Sequence, residues 1–486
     1  LRGREPLYMI DGVPQSNPLR NGSRDGNTID PAMIERIEVI SGANAIQGMG
    51  ASGGIINIIT KSAGDFNHQM SAGFSTPTDG GSDSQSYKAS YLFSQQLDDI
   101  SFIGGVSARS TGMYRDGNGD FVGLDGTQGD TQDSTSLDLF LKVKYQLDNE
   151  QSIQAMLNHY KIEGNGDFVA VNGDPATGLA TSAEKGDVEG DTPRNRVTTF
   201  TLDYNHSNVA GGNLAIQLFT QDFAAMYGGG TFATFQDPAY GETIFDQSQN
   251  KSQKFGSRVT YNKDNLLNSQ FDIATGIDLL SDETYQELAQ TGRHWVPKTK
   301  FNNIAPFAQL RYDGLEDWTF NAGLRYEYGK LKVDDFTTLA SYNSSFVEGG
   351  EPSFNELLEN LGVVYQVTDE LRLYASYSEG FSMADVGRVL RGINQAGLSV
   401  ESFLNLEPVI SDNRELGFEY ANDSFNFKAS YFESDSDLGS RLQADAEGIY
   451  SVQRERTEIS GFEANVQYYL TNSTTFGASY ADTEGQ

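Results

Sequence analysis

From about residue 66 onward, apolar and polar positions alternate along the chain with a period of two. Residues 137–147 show the pattern, with Leu, Val or Tyr at the odd positions and mostly charged or polar side chains at the even ones. Residues 199–205 and 320–328 repeat it. Such strands bury one face in an apolar environment and leave the other face hydrated. Periodicity alone fits a soluble β-sandwich as well as a membrane barrel.

The lengths of the connections separate these two architectures. Short connections are predicted at 147–150, 210–212, 315–317, 368–370 and 422–424. Long connections are predicted at about 113–132, 163–194, 225–251, 282–299, 333–354, 382–410 and 437–448. Alternation of tight turns with long loops is typical of outer-membrane barrels, and the pattern predicts about 17 antiparallel strands.

The same pattern predicts which face of each strand meets lipid. A charge on the lipid face near the midplane costs about 2–4 kcal/mol. We therefore expect the charged residues of these strands to point into the lumen. A register slip of one residue would place them in lipid instead. These residues are Asp138, Lys142, Lys144, Arg325 and Glu327.

The first sixty residues follow a different pattern, of mixed α/β type. A short apolar strand at residues 7–10 ends at the turn pair Asp11-Gly12. Asp30-Pro31 is typical of a helix start, with Asp as the capping residue and Pro at the first helical position. Strands are predicted at 37–40 and 55–60, separated by a glycine-rich segment that lacks the spacing of a nucleotide-binding loop.

Composition narrows the classes of function. The net charge of −33 argues against a nucleic-acid partner, and the absence of cysteine excludes disulfides and thiolate metal sites. No apolar run approaches the roughly 18 residues of a spanning helix. No signal peptide is visible, so we expect the front of the protein to be missing.

No catalytic motif is present, and we predict that the protein is not an enzyme. The four histidines, His68, His159, His206 and His294, lie in different hairpins without metal-ligand spacing. Residues 116–120 are similar to a calcium loop, but Phe121 and Thr127 stand where that loop needs Gly and Glu. A solvated loop is the interpretation we prefer there.

Three segments of the N-terminal region resemble the plug domain of TonB-dependent outer-membrane receptors: residues 8–14, 34–39 and 53–61. The resemblance implies a transmembrane antiparallel β-barrel, residues 66–486, with a partial N-terminal α/β plug domain, residues 1–65, in its lumen. The family's barrels have about 22 strands. We therefore expect a chain truncated at both ends, without the TonB box, that does not close its barrel.

Later motifs also resemble this family, at residues 374–381, 406–417 and 459–463, although Val409 stands where a Glu is usual. The resemblance implies an ionic lock between plug arginines and barrel glutamates. By position these are Arg2 and Arg36, with Glu415 and Glu463. The alternative is that both glutamates are ordinary lumen-facing residues.

The resemblance also places the ligand on the outer loop of the plug, residues 16–27, beneath the long barrel loops. Guanidinium groups suit the oxygens of an anionic ferric chelate, and aromatic side chains could cover it. The alternative for these aromatics is loop packing or a membrane girdle. The predicted ligand-binding residues are Leu19, Arg20, Arg24, Tyr114, Tyr227, Phe232, Trp295, Arg388 and Arg391.

Together these features predict an outer-membrane receptor of a Gram-negative bacterium that imports a ferric siderophore, of hydroxamate type. The implied partners are TonB with its ExbB–ExbD complex, the siderophore, and outer-membrane lipid and lipopolysaccharide. No cofactor is expected, because iron is carried as the chelate. The alternatives are a receptor of this build for cobalamin, haem or a glycan, and a passive porin or surface adhesin.

Overall fold

The computed structural model describes residues 1–16, 26–41, 50–64, 66–78, 80–266, 270–383, 385–403, 408–439, 441–444 and 450–486. Leu19, Arg20 and Arg24, predicted to bind the ligand, lie outside these ranges.

The N-terminal unit is a four-stranded sheet of β1 Leu7–Ile10, β2 Val13–Pro14, β3 Ile34–Ser41 and β4 Gly54–Thr60, in the order β2-β1-β4-β3. Strand β1 is parallel to β4, and the other pairs are antiparallel. A 3₁₀ turn at Pro31–Met33 leads into β3, and the Asp30 carboxylate caps it by accepting the Ala32 N–H at 2.8 Å. The predicted capping arrangement is confirmed, while β3 begins three residues earlier than expected.

The next strands along the chain are β5 His68–Ser75, β6 Ser86–Leu97, β7 Ile100–Thr111, β8 Ser134–Gln146, β9 Gln151–Gly164, β10 Phe168–Val171, β11 Ser182–Lys185, β12 Arg194–Val209, β13 Gly212–Met226, β14 Ser248–Lys263, β15 Phe271–Leu288, β16 His294–Leu315 and β17 Trp318–Val333. They are followed by β18 Phe336–Thr337, β19 Phe346–Val347, β20 Ser353–Gln366, β21 Leu371–Ser382, α1 Val386–Arg391, α2 Val400–Phe403, β22 Val409–Ala421, β23 Phe425–Ser436, β24 Arg441–Ala444, β25 Tyr450–Gln453, β26 Thr457–Thr471 and β27 Thr474–Gly485.

Seventeen of these strands build the barrel wall, and each pairs antiparallel with its neighbour from β5 round to β27. The pairs β10–β11, β18–β19 and β24–β25 form separate two-stranded sheets in the long loops. The strand order closes the barrel, with β27 next to β5, so the expectation that the chain does not close its barrel is wrong. Both of these strands are exposed along their whole length. The predicted fold class, an antiparallel barrel with a plug, is confirmed.

Alternation along β17 follows the predicted faces. Leu324 is 51% exposed on the outer wall, whereas Arg325 and Glu327 are buried in the lumen. On β8, Asp138 and Lys142 are buried, and Lys144, near the short-turn end, is exposed on the same side.

Aromatic side chains gather at the short-turn end of the wall. The Trp318 ring stacks on Tyr365 at 4.5 Å and on Phe320 at 5.8 Å. An aromatic girdle of this kind is typical of the edge of a membrane-spanning band. Within the described part of the chain, no helix is long and apolar enough to cross a membrane.

One predicted loop is wrong. Residues 282–299 are mostly strand, because β15 runs to Leu288 and β16 begins at His294, leaving only a five-residue connection, 289–293. This hairpin carries polar residues on both faces, so its sequence lacks the apolar–polar alternation of a strand against lipid. Helix α1, by contrast, packs inside the barrel mouth, where Val386 and Leu390 join a buried cluster with Phe301 and Phe381.

Candidate functional site

The plug meets the barrel wall through a buried arginine. Arg2 reaches Glu415 on β22 with its Nη1 and Nη2 at 2.8 and 3.2 Å from the two carboxylate oxygens. Its Nε and Nη2 lie 3.1 and 2.7 Å from the oxygens of Glu463 on β26. The guanidinium carbon stacks 4.4 Å from the Phe432 ring centre, and the Tyr374 hydroxyl donates to Glu415 at 3.0 Å. One plug cation therefore joins three neighbouring strands.

The backbone at this contact is tightly constrained. Arg2 has a φ of +49°, in the left-handed region that few side chains adopt. Gly3 follows with a φ of +76°, and a Cβ there would lie 3.1 Å from Ile459 Cδ1. The turn that aims Arg2 at its partners thus needs a glycine after it. Burial opposes the charge of Arg2, but hydrogen bonds to Glu463 and Glu415 outweigh it and raise the arginine's pKa above its ordinary value.

Arg36 does not take part in this contact, and the prediction that it joins the lock is wrong. Its side chain is 55% exposed and pairs with Glu35 at 3.2 Å and Glu38 at 2.7 Å, both on its own strand. The reason is positional. Strand β3 is the edge of the plug sheet, and its pairing with β4 shifts between Ile34 and Arg36.

A second plug–barrel junction was missed by the sequence analysis. Lys142 on β8 places its Nζ 3.0 Å from Asp11 Oδ2 and 3.4 Å from the Thr60 carbonyl. Asp11 also accepts hydrogen bonds from the Thr60 amide and hydroxyl, at 2.9 and 2.5 Å. The lysine therefore holds the ends of β1 and β4 together against the wall. Its predicted lumen orientation was the only sequence signal for this contact.

Polar contacts continue around the capping turn of the plug. The Asp30 amide donates to Asp138 Oδ2 at 2.6 Å, and Asn158 donates to the other oxygen of Asp138 at 2.6 Å. Lys88 on β6 lies 3.7 Å from the Asp30 carboxylate. The barrel wall thus recognises the start of the 3₁₀ turn through its backbone and its cap.

An apolar cluster lies beside these polar contacts. Four plug residues pack against four lumen-facing barrel residues, and all eight are buried: Ile10, Ile29, Met33 and Ile58 from the plug, and Leu92, Ile103, Phe140 and Met156 from the wall. The barrel backbone allows this close approach at Gly105, where a Cβ would lie 2.7 Å from Met33 Sδ. The plug is docked by apolar burial on this wall and by the arginine contact at Glu415 and Glu463.

A cavity of about 80 Å³ lies between the plug and the β20–β23 wall, next to the arginine contact. Polar side chains line most of it, including Arg4, Ser376 and Asn413. Ser52, which lines it, accepts from the Ser411 hydroxyl on β22 at 3.5 Å through its carbonyl. The seam between plug and wall is looser here than at the apolar cluster.

The structure brings some of the predicted ligand residues together at the mouth. The Arg391 guanidinium stacks 4.0 Å from the Trp295 ring and donates to Gln286 at 3.2 Å. Phe235 meets the Trp295 ring edge-on at 5.2 Å. Arg391 is only 8% exposed, so in this structure its guanidinium fixes α1 to the wall.

The other predicted ligand residues have different surroundings. Arg388 lies 3.5 Å from the Asp385 carboxylate, the capping residue of α1. Phe232 is exposed and packs on Phe235, and Tyr227 is buried, where its hydroxyl accepts from Asn250 at 3.0 Å.

Tyr114 lies exposed in the 112–133 loop, where its hydroxyl is 3.2 Å from that of Thr131. Among the described residues, no ring contact is seen between Tyr114 and the group formed by Trp295, Phe235 and Phe232.

The possible calcium loop is closed on itself. The Asp116 carboxylate accepts the backbone N–H groups of Asn118 and Asp120, at 2.9 and 3.0 Å, and these bonds lower its pKa. Within the described ranges no group of three or more His, Asp and Glu side chains is arranged to hold a metal ion.

A barrel with tight turns at one end, long folded loops at the other and a small sheet docked in its lumen defines a plugged channel of the outer-membrane type. The family comparisons agree with this class. Residues 154–486 match the model "TonB dependent receptor-like, beta-barrel", and residues 1–55 match the "TonB-dependent Receptor Plug Domain". The chain belongs to the TonB-dependent receptor family.

Individual relatives cover almost the whole chain. It is 28% identical over 524 residues to the ferric aerobactin receptor of Klebsiella pneumoniae, covering 97% of this chain and 69% of the relative. It is 26% identical to the rhizobactin receptor of Rhizobium meliloti strain 1021, covering 98% of this chain and 69% of the relative. The solved copper transporter OprC superposes with a TM-score of 0.74 at 16% identity, covering 99% of this chain and 71% of that one, and it supports the fold.

Proposed function

We propose that this protein is an outer-membrane receptor that binds a ferric siderophore of hydroxamate type and imports it with energy delivered by TonB and its ExbB–ExbD complex. The observation that carries the ligand class is the similarity, along 97–98% of the chain, to receptors named for ferric aerobactin and for rhizobactin. Iron is the cargo, carried within the chelate, and no residue of the chain is assigned as its ligand.

The requirement for energy is supported by the docked plug. The plug is held by the two-carboxylate contact of Arg2, by the Lys142–Asp11 pair and by a buried apolar cluster. Removing one partner of a buried ion pair costs about 3–5 kcal/mol. A plug with several such contacts does not leave the lumen spontaneously, so passage of a chelate needs work supplied from outside the barrel.

Ligand capture is assigned to the outer face of the plug. Arg20 and Arg24 lie in the plug segment between the described residues Ser16 and Gly26. Arginine forks bind anionic oxygens in a bidentate manner, which suits a carboxylate-bearing ferric chelate. The exposed rings of Tyr114 and Phe232 are the aromatic candidates from the barrel loops.

A growth experiment tests this function. A receptor-deletion strain that expresses the protein is grown under iron limitation with one purified ferric siderophore at a time. Growth on ferric aerobactin or rhizobactin is expected, and growth only on hemin, or on none of the iron sources, contradicts the ligand class. Substitution of Arg20 and Arg24 by Ala is expected to weaken chelate binding, whereas Arg196→Ala, on the outer wall beside Asp222, serves as the control.

Liposome swelling separates active import from a passive pore. The docked plug predicts no swelling with small sugars. Rapid solute entry through the purified protein contradicts the plugged-transporter proposal and favours a porin.

A further inference from the structure

The end of strand β21 is shared by a buried cluster at the barrel mouth and by the plug. Phe381, 1% exposed, belongs to the mouth cluster, the buried group that α1 joins through Val386 and Leu390. Its ring centre lies 5.3 Å from that of Phe354 on β20. The Phe381 carbonyl accepts the Gly50 N–H of the plug at 2.8 Å. The packing of α1 and the position of this part of the plug therefore depend on the same residue of the wall.

The plug turn at residues 50–54 also packs against the segment that carries Arg2. The Gly53 N–H donates to the Glu5 carbonyl at 3.2 Å. A Cβ at Gly53 would lie 2.7 Å from the carbonyl oxygens of Arg4 and Glu5, so the two segments meet backbone to backbone. Because the contact is this close, a displacement of the turn is passed on to the residues that aim Arg2 at its carboxylates.

The start of α1 acts on the same segment through charge. Desolvation raises the pKa of the Glu5 carboxyl above its ordinary value, the Asp385 carboxylate raises it further, and the Arg388 guanidinium opposes the shift. Asp385 caps α1 by accepting the Arg388 N–H at 2.8 Å. The first turn of α1 and the segment that carries Arg2 are thus electrostatic neighbours.

Glycine at position 50 fixes the geometry of the link. Gly50 has a φ of +91°, in the left-handed region where glycine is favoured over other residues. The same residue packs beside Leu7, because a Cβ at position 50 would lie 3.5 Å from Leu7 Cδ1. Close-packed groups of this kind change between discrete arrangements rather than deforming gradually. A change in the mouth cluster is therefore transmitted to the turn.

We propose that Phe381 and Gly50 couple the packing of α1 at the mouth to the Arg2 contact of the plug. When α1 leaves the mouth cluster, the end of β21 shifts and the 50–54 turn loses its anchor. The segment that carries Arg2 then separates more readily from Glu415 and Glu463. Phe381 and Gly50 are positioning residues, and their role in import rests on the function proposed above.

Hydrogen exchange followed by mass spectrometry tests the coupling without any ligand. Leu390→Ala leaves a cavity in the mouth cluster, at a fully buried position of α1. It is expected to speed exchange of the amides of residues 1–5 and 50–54 about tenfold, which corresponds to 1.4 kcal/mol. Met113→Ala is the matched control, because it removes a side chain of similar size from a separate buried loop cluster. Unchanged exchange at residues 1–5 in Leu390→Ala overturns the coupling.

Coupling of this kind is reciprocal, so the Arg2 contact must act back on α1. Glu415→Gln weakens that contact and is expected to speed exchange of the Val389 amide, which donates to the Asp385 carbonyl within α1, by a similar factor. Arg414→Gln is the control, since Arg414 pairs with an aspartate on the outer wall. This measurement leaves the mouth cluster unmodified, so it stays informative if Leu390→Ala does not fold. Faster exchange of the plug amides with unchanged exchange of α1 overturns the coupling.

Gly50→Ala tests the route. Alanine at a φ of +91° is strained, so the turn is expected to lose its hydrogen bond to Phe381. In this background Leu390→Ala is expected to have no effect on exchange at residues 1–5. Gly178→Ala is the matched control, at an exposed loop glycine with a φ of +73° and open space around it. An effect of Leu390→Ala that persists in Gly50→Ala overturns the route through Phe381.

Ferric aerobactin connects the coupling to import. Binding of the chelate is expected to change hydrogen exchange of both α1 and residues 1–5 in the unmodified protein, and of α1 alone in Gly50→Ala. A response at residues 1–5 that persists in Gly50→Ala overturns the route. If the protein binds no ferric hydroxamate at all, the proposed function fails, and the ligand-free comparison of Leu390→Ala with Met113→Ala still decides whether the coupling exists.

Discussion

Replacing each carboxylate partner of Arg2 in turn measures how strongly the plug is locked to the wall. Glu415 and Glu463 contact the same guanidinium at similar distances, but their side chains are 16% and 36% exposed. Glu415 also accepts the Tyr374 hydroxyl. The difference in burial predicts that Glu415→Gln loosens the plug more than Glu463→Gln.

The magnitudes follow from the two environments. Breaking a buried ion pair by removing one partner costs about 3–5 kcal/mol, and we take the lower limit, about 3 kcal/mol, for the partly hydrated Glu415. A more exposed pair is worth about 1 kcal/mol after solvent screening, which we assign to Glu463. At 1.4 kcal/mol per factor of ten, these values correspond to about 150-fold and about fivefold changes in the population of the undocked plug.

Amide hydrogen exchange in detergent measures this population directly, because exchange of protected amides requires local opening. The amides of β1 and β4 in the plug are the reporters, and those of β16 and β17 in the barrel are the internal reference. Arg414→Gln is the matched control, since Arg414 is next to Glu415 but pairs with Asp435 on the outer wall. A larger effect of Glu463→Gln, or no change in plug exchange for either variant, refutes the reasoning.

Three further predictions test the other plug contacts and the register of the wall. Met33→Ala removes a fully buried side chain from the apolar interface and is expected to weaken plug docking by about 2–5 kcal/mol. The effect is measured as faster hydrogen exchange of the plug amides. Met70→Ala, on an exposed strand, is the control. Lys142→Met removes the cation that pairs with Asp11 and is expected to speed hydrogen exchange at the Thr60 amide by at least tenfold, which corresponds to about 1.4 kcal/mol. An unchanged exchange rate shows that the ion pair adds nothing to docking. Leu324→Arg places a charge in lipid at a cost of about 2–4 kcal/mol and is expected to lower the folded fraction of the protein in the outer membrane, measured by heat-modifiable gel mobility. Asn321→Arg, on the lumen side of the same strand, is expected to leave the folded fraction unchanged. Equal losses in the two variants contradict the register.

The barrel could be predicted from the sequence because lipid imposes a strict rule on each strand. Leu324 and Arg325 cannot exchange faces without placing a charge in the membrane, so their alternation determines the register. The rule does not apply above the membrane. The β15–β16 hairpin extends into water, where both faces can be polar, and its strands were therefore predicted to be a loop.

The plug contacts were harder to predict because they depend on which residues of two separate units meet. Resemblance to the family indicated the position of Arg2 and of its two carboxylates, and the structure brings these groups together. It also indicated Arg36, which the pairing shift in β3 leaves facing its own strand neighbours. Lys142 gave only its lumen orientation as a signal, because its partners, Asp11 and the Thr60 carbonyl, belong to the plug.

Uptake of radioactive iron tests the central claim most directly. Cells that lack other siderophore receptors and express this protein are given labelled ferric aerobactin, with and without a protonophore that removes the inner-membrane proton gradient. The account predicts saturable uptake that the protonophore abolishes. Uptake that persists without the proton gradient, or no uptake of ferric aerobactin or rhizobactin at any concentration, contradicts it.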